Sequence, residues 1–229
     1  MIEMEYSDLI DIDLKEELLD NGLIIVRDAD ITLAEFEQLA HSMGKPLVTD
    51  RHVLNDARSV QELSENGLFG TGDVDWHNDW SYGRGNYFGT ILRNVKNAEL
   101  SPTWFVDMSE APDELFKMYA DAIGHYYPPQ RLHDVCFTEK QLELLKKQNV
   151  SRPFDFKHPI TGERVLYCSP GTIQDNTHDL TPVIEWAEEN AYKHMWEPND
   201  IIIWDNITMM HKRAAFQGER LLWRTQFTI

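Results

Sequence analysis

The residues most able to do chemistry in this sequence lie together at positions 76–80, which read Trp-His-Asn-Asp-Trp. One residue separates His77 from Asp79, and on a β-strand residues i and i+2 point to the same face. The imidazole and the carboxylate can therefore converge on one point, and these ligand types suit Fe(II) and similar divalent ions. The pair alone is a weak indication, because nine His residues give roughly one such pair by chance in every second chain. A metal site needs a further ligand.

The C-terminal region offers that ligand in His211. A continuous apolar run at 201–204 predicts a buried strand, and after a turn the chain returns through His211. Two imidazoles and one carboxylate are the ligand set of non-haem Fe(II) oxygenases, which leaves coordination positions open. The sequence thus predicts a metal site formed by His77, Asp79 and His211.

Two arginines follow the second histidine. Arg220 and Arg224 are i and i+4 on a predicted strand and therefore share one face. A surface location would be ordinary in so acidic a chain, but the rest of this strand is made of Leu, Trp and Phe. Two inward-facing arginines need an anionic partner. A dicarboxylate supplies one, because guanidinium binds carboxylate bidentately.

In order and in type, these motifs resemble the taurine/2,4-D dioxygenase-like (TauD/TfdA) branch of the Fe(II)/2-oxoglutarate dioxygenases. The matching blocks cover most of the chain and run in family order, so their combination is specific although each block is weak. They are W-H-x-D at 76–79, Thr103, H-P-x-T-G at 158–162 with Leu166-Tyr167, W-D-N-x-x-x-x-H at 204–211, and the Arg220/Arg224 pair.

The resemblance implies Fe(II), 2-oxoglutarate and O2 as cofactors of an oxygenase that releases succinate and CO2 while hydroxylating a small molecule. It implies that Arg220 binds the C5 carboxylate of 2-oxoglutarate and that Arg224 lies on the metal side. The two roles could be exchanged, because the loop between His211 and Arg220 looks shorter than in many relatives. Thr103 matches a threonine that hydrogen-bonds 2-oxoglutarate, although Leu-Ser-Pro at 100–102 replaces the Gly-Gly-Asp that often precedes it.

The resemblance also bears on the outcome of the reaction and on the substrate. Halogenating relatives replace the metal-binding carboxylate to make room for halide. Because Asp79 is present here, halogenation is not expected, whereas desaturation stays open. Trp80 and Tyr82 follow the metal ligands where relatives place apolar substrate contacts. Asp73 lies four residues before His77, and a carboxylate there would favour an amine-bearing substrate. The alternative is that Asp73 is simply exposed to solvent. No further catalytic residue is predicted, since the metal carries out the chemistry.

The elements that position these residues follow from periodicity and capping. Thr32 with Glu35 and Thr138 with Gln141 are capping boxes that predict helices. Residues 45–75 show little periodicity and are predicted as a long loop, either an active-site flap or plain surface. Other predictions are a strand at 87–95, a helix capped by Ser109 and closed by Gly124, and a hairpin around the turn at 159–162.

Strands in two regions separated by helices indicate an α+β, β-rich fold. The resemblance sharpens this to a double-stranded β-helix (jelly roll) core with flanking helices. At 229 residues, we expect one domain over 1–229.

The amino-acid composition excludes several classes of binding partner. The net charge of −18 argues against nucleic acid and anionic membranes. No apolar run approaches the ~20 residues of a membrane span. Only Cys136 and Cys168 are present, which fits a reduced, cytoplasmic chain. A homo-oligomer stays open. The alternative from another class is a non-enzymatic cupin-type metal-binding protein, which would have no reason to bury the two arginines.

Overall fold

The helices of the protein lie outside a β-rich core. The computed structural model describes residues 1–48, 53–54, 57–83, 89–130, 133, 137–174 and 178–228. Within them the helices are α1 (Leu14–Asn21), α2 (Leu33–Met43), α3 (Asp113–Met118), α4 (Glu139–Gln148) and α5 (Thr181–Asn190).

Capping side chains set the ends of these helices as the sequence predicts. At the start of α2 the Thr32 hydroxyl accepts the Glu35 N–H while the Glu35 carboxylate accepts the Thr32 N–H. The same reciprocal pair forms between Thr138 and Gln141 at α4. Each cap satisfies backbone N–H groups that have no partner within the helix.

The larger sheet runs in the order β1-β2-β15-β7-β17-β5-β4, and β3 also pairs with β17. All its pairs are antiparallel except β1 with β2. Its strands are β1 (Ile2–Glu5), β2 (Leu23–Arg27), β3 (Lys45–Pro46), β4 (Val53–Leu54), β5 (Ala57–Ser64), β7 (Gly89–Lys96), β15 (Ile201–Asp205) and β17 (Leu221–Thr228).

A second sheet, in the order β14-β8-β16-β6, carries the metal-ligand candidates. Its strands are β6 (Val74–His77), β8 (Thr103–Asp107), β14 (Tyr192–His194) and β16 (Met209–Arg213). Smaller sheets join β9 (Ile123–Tyr126), β10 (Val150–Pro153) and β13 (Ile173–Gln174), and the pair β11 (Asp155–Lys157) and β12 (Arg164–Leu166).

The central strands of the larger sheet are buried on both faces, which explains their uninterrupted apolar sequences. Ile24 and Ile203 pack into one cluster with residues of α1 and α2. Their neighbours Ile25 and Ile202 point the other way, into a cluster that contains Phe105 of the second sheet. The second cluster therefore fills the space between the two sheets, and together they form the jelly-roll core.

Two sequence-based predictions of elements are wrong. The segment predicted as a long loop contains the eight-residue strand β5. Its sequence, Ala-Arg-Ser-Val-Gln-Glu-Leu-Ser, shows no apolar alternation, and its place in the sheet is set by pairing with β17. The helix predicted from Ser109 begins only after Pro112, since the residue before a proline is kept out of the helical region. Gly124 does not end that helix but lies in β9, where a Cβ would meet the Tyr126 ring. Positions 84–88, with the predicted strand start at Tyr87, lie outside the described residues.

No helix in the described ranges combines the length and the apolar character that crossing a membrane requires.

Candidate metal centre

The three predicted metal ligands meet at one point between β6 and β16. His77 and His211 are direct partners in the antiparallel register of these strands, and their ring centroids are 4.2 Å apart. Asp79 follows β6, and its Oδ1 lies 3.6 Å from Nε2 of His77. One ligand atom from each residue lies within 4.8 Å of the other two. A divalent ion fits this donor set.

Each imidazole is held so that it can offer a nitrogen to a metal. Nδ1 of His77 lies 2.8 Å from the Asp75 carbonyl, so Nδ1 donates its proton there and Nε2 faces Asp79. Burial and the neighbouring His77 lower the pKa of His211 to about 3, so its ring is neutral at physiological pH. The His211 ring packs between Phe105 and Trp204, which fixes its orientation.

The Asp79 carboxylate is held by one oxygen only. Oδ2 accepts hydrogen bonds from Nη2 of Arg224 at 2.6 Å, Nε2 of Gln226 at 3.1 Å and the Thr90 hydroxyl at 3.2 Å. Burial would raise the Asp79 pKa, but its polar surroundings, above all the Arg224 charge, outweigh burial and hold the pKa well below its usual range. The carboxylate is therefore ionised, and Oδ1 is left on the side of His77.

The metal-ligand candidates open into a cavity that the two predicted arginines also line. Arg220 is 4% exposed, and its guanidinium pairs with no carboxylate among the described residues. Its Nε has no hydrogen-bond partner there either. Burial and the nearby Arg213 charge lower the Arg220 pKa to about 9. A buried guanidinium without a counter-charge is costly, and an anion entering the cavity would relieve that cost.

Thr103 also lines the cavity. It is buried at the start of β8, and its Oγ1 accepts a hydrogen bond from Nε1 of Trp196 at 3.1 Å. An indole N–H can only donate, so the Thr103 hydroxyl retains its own proton for an acceptor. This arrangement suits a carboxylate in the cavity.

The three predicted substrate residues are not brought to this cavity by the described chain. Asp73 is exposed, and its Oδ1 accepts the Ala215 N–H at 2.8 Å beside a separate cleft. Trp80 donates through Nε1 to Oε1 of Gln226 at 2.5 Å. Tyr82 is buried, with its ring 5.6 Å from Trp80 and 6.0 Å from Phe137.

Sequence reasoning missed Gln226 and Thr90. These two residues are register partners on β17 and β7, and both contact Asp79. A period-2 reading of the last strand could have found Gln226, because it lies two residues after Arg224 on the same face. No sequence pattern marks Thr90, which reaches the site through strand pairing alone.

The H-P-x-T-G and W-D-N blocks also meet in space. Nδ1 of His158 accepts the N–H groups of Ile160 and Thr161, so the proton is on Nε2, which lies 2.9 Å from Oδ2 of Asp205. The other oxygen of Asp205 accepts the Ile207 N–H at 2.7 Å. His158 is thus a buried structural residue, which stabilises the turn between β15 and β16.

Comparison with known proteins gives the family. The model of the family "Taurine catabolism dioxygenase TauD, TfdA family" matches residues 3–226. Pentalenolactone F synthase of Streptomyces avermitilis is 29% identical over 73% of this chain, and the match spans 66% of that protein's length, just under two thirds. The (S)-phenoxypropionate/alpha-ketoglutarate-dioxygenase of Sphingobium herbicidovorans is 23% identical over 94% of this chain and 85% of that protein.

Solved structures show the same fold. The crystal structure of a taurine dioxygenase from Burkholderia xenovorans superposes with a TM-score of 0.68 at 20% identity, covering 93% of this chain and 79% of that one. The structure of AAD-2 in complex with Mn(II) and N-oxalylglycine gives a TM-score of 0.69 at 21% identity, covering 93% and 86%.

Proposed function

The chain belongs to the taurine catabolism dioxygenase TauD, TfdA family of Fe(II)- and 2-oxoglutarate-dependent oxygenases, and we propose that it hydroxylates a small, apolar, anionic molecule. His77, Asp79 and His211 hold Fe(II), while Arg220 and Thr103 bind 2-oxoglutarate. The sequence-based prediction of this family and of its cofactors Fe(II), 2-oxoglutarate and O2 is confirmed by the family match. The alternative of a cupin-type binding protein is thereby displaced.

One observation carries the assignment of the site. The buried guanidinium of Arg220, which has no counter-charge among the described residues, lines the same cavity as the cluster of His77, Asp79 and His211. A metal-binding protein alone would gain nothing from it, whereas a dicarboxylate that also reaches the metal satisfies both groups. The lone proton of the Thr103 hydroxyl supplies a second, neutral contact.

The residues of the chain divide the work between binding and orientation. When bound, Fe(II) with 2-oxoglutarate and O2 supplies the oxidising chemistry that yields succinate, CO2 and hydroxylated substrate. His77 and His211 offer neutral nitrogen donors, and Asp79 offers one anionic oxygen. Arg224 neutralises the other oxygen of Asp79, so this ligand stays ionised in a buried setting. The apolar walls keep water out and strengthen these charge interactions.

The charges of the cavity support an anionic substrate. Lys212, Arg213, Arg220 and Arg224 line it, and Asp79 is the one carboxylate among its described lining residues. Lys212 is neutralised by Glu188, which does not line the cavity. Fe(II) and the 2-oxoglutarate dianion cancel each other, so the three guanidinium groups exceed the one carboxylate by two charges. Much of the remaining wall is apolar. The phenoxypropionate named in one relative is an apolar carboxylic acid of this kind.

The amine-bearing substrate predicted from Asp73 is untested. Its support was a carboxylate near the metal, but Asp73 is exposed and bonded to the Ala215 N–H, so we prefer the anionic class. A single domain over 1–229, a homo-oligomeric state and a cytoplasmic location also stay predictions from the sequence.

Anaerobic titration tests the cofactors first. Fe(II) and 2-oxoglutarate together should produce the weak visible charge-transfer band of this enzyme class, and its absence would contradict the proposed site. Succinate release should then be measured with apolar carboxylic acids and with amines and sulfonates of matched size. We expect stimulation by carboxylic acids, unchanged in Asp73→Asn. Stimulation by amines alone, lost in Asp73→Asn, would restore the amine hypothesis.

A further inference from the structure

Oδ2 of Asp79 accepts all the hydrogen bonds that a buried network donates to this carboxylate. Besides Arg224, its donors are Gln226 and Thr90. Thr90 in turn accepts a hydrogen bond from Nδ2 of Asn206, so its proton is directed towards Asp79. Gln226 and Thr90 are both at most 4% exposed, and water does not compete for these contacts.

The orientation of the Gln226 amide is fixed from its other side. Its Oε1 accepts the indole N–H of Trp80 at 2.5 Å. Because an indole nitrogen can only donate, the Gln226 oxygen must face Trp80 and its NH2 group must face Asp79. Trp80 thus ensures that the nitrogen of the Gln226 amide, and not its oxygen, contacts the Asp79 carboxylate.

Trp80 itself has an unusual backbone. Its φ of 56° lies in the left-handed region, which a bulky side chain rarely adopts. Its carbonyl accepts the Gly83 N–H at 2.7 Å, and its indole is anchored on Gln226. The chain directly after the metal ligand is therefore held in a strained turn by the same amide that contacts Asp79.

From these contacts we infer that Gln226 is a positioning residue for the metal ligand Asp79, and that Trp80 orients its amide. With Arg224 and Thr90, Gln226 saturates Oδ2 and leaves Oδ1 as the single oxygen for the metal. Without the amide the carboxylate can rotate and present both oxygens. Outer contacts of this kind tune metal sites. The inference rests on the proposed function, since it assumes that Asp79 binds the metal.

Co(II) binding to the metal-free protein tests this inference without turnover. Gln226→Met keeps the side-chain length but removes the hydrogen bonds with Asp79, Thr90 and Trp80. Trp80→Phe removes the indole N–H together with part of the ring and leaves the Gln226 amide in place. Gln174→Met is the matched control, because Gln174 is an exposed amide on β13. The Co(II) dissociation constant, the visible Co(II) absorption bands and the thermal unfolding of the metal-free protein are measured for each.

We expect wild type and Gln174→Met to behave alike. Gln226→Met should bind Co(II) about tenfold or more weakly, with shifted absorption bands, because the coordination mode of Asp79 changes. Trp80→Phe should also weaken Co(II) binding and shift the absorption bands in the same direction, but by less than Gln226→Met does. A purely structural role would lower the unfolding temperature but leave the absorption bands unmoved.

Wild-type affinity and absorption bands in Gln226→Met would overturn the inference while leaving the proposed function standing. If Gln226→Met does not fold, Trp80→Phe decides, and wild-type binding and spectrum there overturn the inference equally. Failure of the wild-type protein to bind Co(II) would contradict the proposed metal site itself.

Discussion

Arg220 and Arg224 stand four residues apart on the wall of one cavity, but within the part of the chain that the structure describes only Arg224 has a carboxylate partner. Its Nη2 lies 2.6 Å from Oδ2 of Asp79, whereas the Arg220 guanidinium pairs with no carboxylate in the described chain. Arg224 therefore belongs to the metal site, and Arg220 is left for a ligand. This difference supports the roles that the family resemblance implies for the two residues.

Replacing Arg220 by methionine should stabilise the ligand-free protein and abolish its response to 2-oxoglutarate. The change removes a buried charge that has no carboxylate partner in the described chain while filling its space, so it should add on the order of 1 kcal/mol or more to the free energy of unfolding. Ligand at a hundred times its dissociation constant should stabilise the Co(II)-loaded wild type by about 2.7 kcal/mol, but not Arg220→Met. Chemical denaturation with and without 2-oxoglutarate measures both effects.

Arg164→Met is the control for the Arg220 replacement, since it removes a half-exposed arginine that pairs with Asp155. Its free energy of unfolding should change by no more than about 1 kcal/mol, with an unaltered response to 2-oxoglutarate. If the response is lost in Arg224→Met and kept in Arg220→Met, the two roles are exchanged.

The lowered Arg220 pKa of about 9 predicts an alkaline limit to 2-oxoglutarate binding. Below pH 9 the guanidinium is charged and affinity should be flat. Above it, affinity in the Co(II)-loaded protein should fall about tenfold per pH unit until the pKa of the complex is reached. Calorimetric titration from pH 7 to pH 10.5 measures this, and a flat profile would contradict the role of Arg220.

The same shift has a stability consequence of opposite sign. Between pH 9 and the ordinary arginine pKa of 12.5, the unfolded chain holds a proton that the folded chain has lost, so stability from this group rises with pH. The difference in unfolding free energy between wild type and Arg220→Met should therefore shrink as pH rises above 9. Taking the difference in unfolding free energy between the two proteins cancels the titration of lysines and tyrosines, which both proteins share.

Asp79→Asn should lose metal binding and also destabilise the metal-free protein. The amide keeps the size of the side chain but leaves Arg224 buried without its counter-charge, which costs about 3–5 kcal/mol. Adding Arg224→Met to Asp79→Asn should restore most of that stability without restoring Co(II) binding. Unfolding curves of the two single variants and the double variant give the coupling energy. Co(II) binding at wild-type affinity in Asp79→Asn would remove Asp79 from the ligand set.

His158→Ala should lower stability through the turn that carries Asp205. The substitution removes the acceptor of two backbone N–H groups and the buried partner of Asp205. The free energy of unfolding should fall by about 2–4 kcal/mol. His125→Ala, at an exposed position of β9, should change stability by less than about 0.5 kcal/mol. Equal effects of the two substitutions in denaturant titrations would contradict the structural role of His158.

Local sequence signals were sufficient where one short segment determines the structure. The caps at Thr32 and Thr138 depend on residues three positions apart, and the apolar runs at 23–26 and 201–204 reveal strands buried on both faces. The metal-ligand candidates were found for a similar reason, because His77 and Asp79 lie on one face of the same short stretch.

Contacts between distant strands were not predictable in this way. The position of β5 follows from its pairing with β17, where Gln61 stands opposite Arg224 and accepts its hydrogen bond, and a polar strand of this kind shows no apolar alternation. Likewise Thr90 reaches Asp79 only through its register with Gln226. The orientation of Asp73 depends on a backbone contact with Ala215, which no side-chain pattern encodes.

Because Trp204 packs against His211, the fluorescence of this tryptophan should report whether the metal site is occupied. The indole is 2% exposed, and its ring centroid lies 4.9 Å from that of the imidazole. A paramagnetic ion held by His211 would quench the emission of this tryptophan at very short range, whereas a closed-shell ion such as Zn(II) would leave it bright. Occupancy of the site can thus be followed in the unlabelled enzyme by its intrinsic fluorescence.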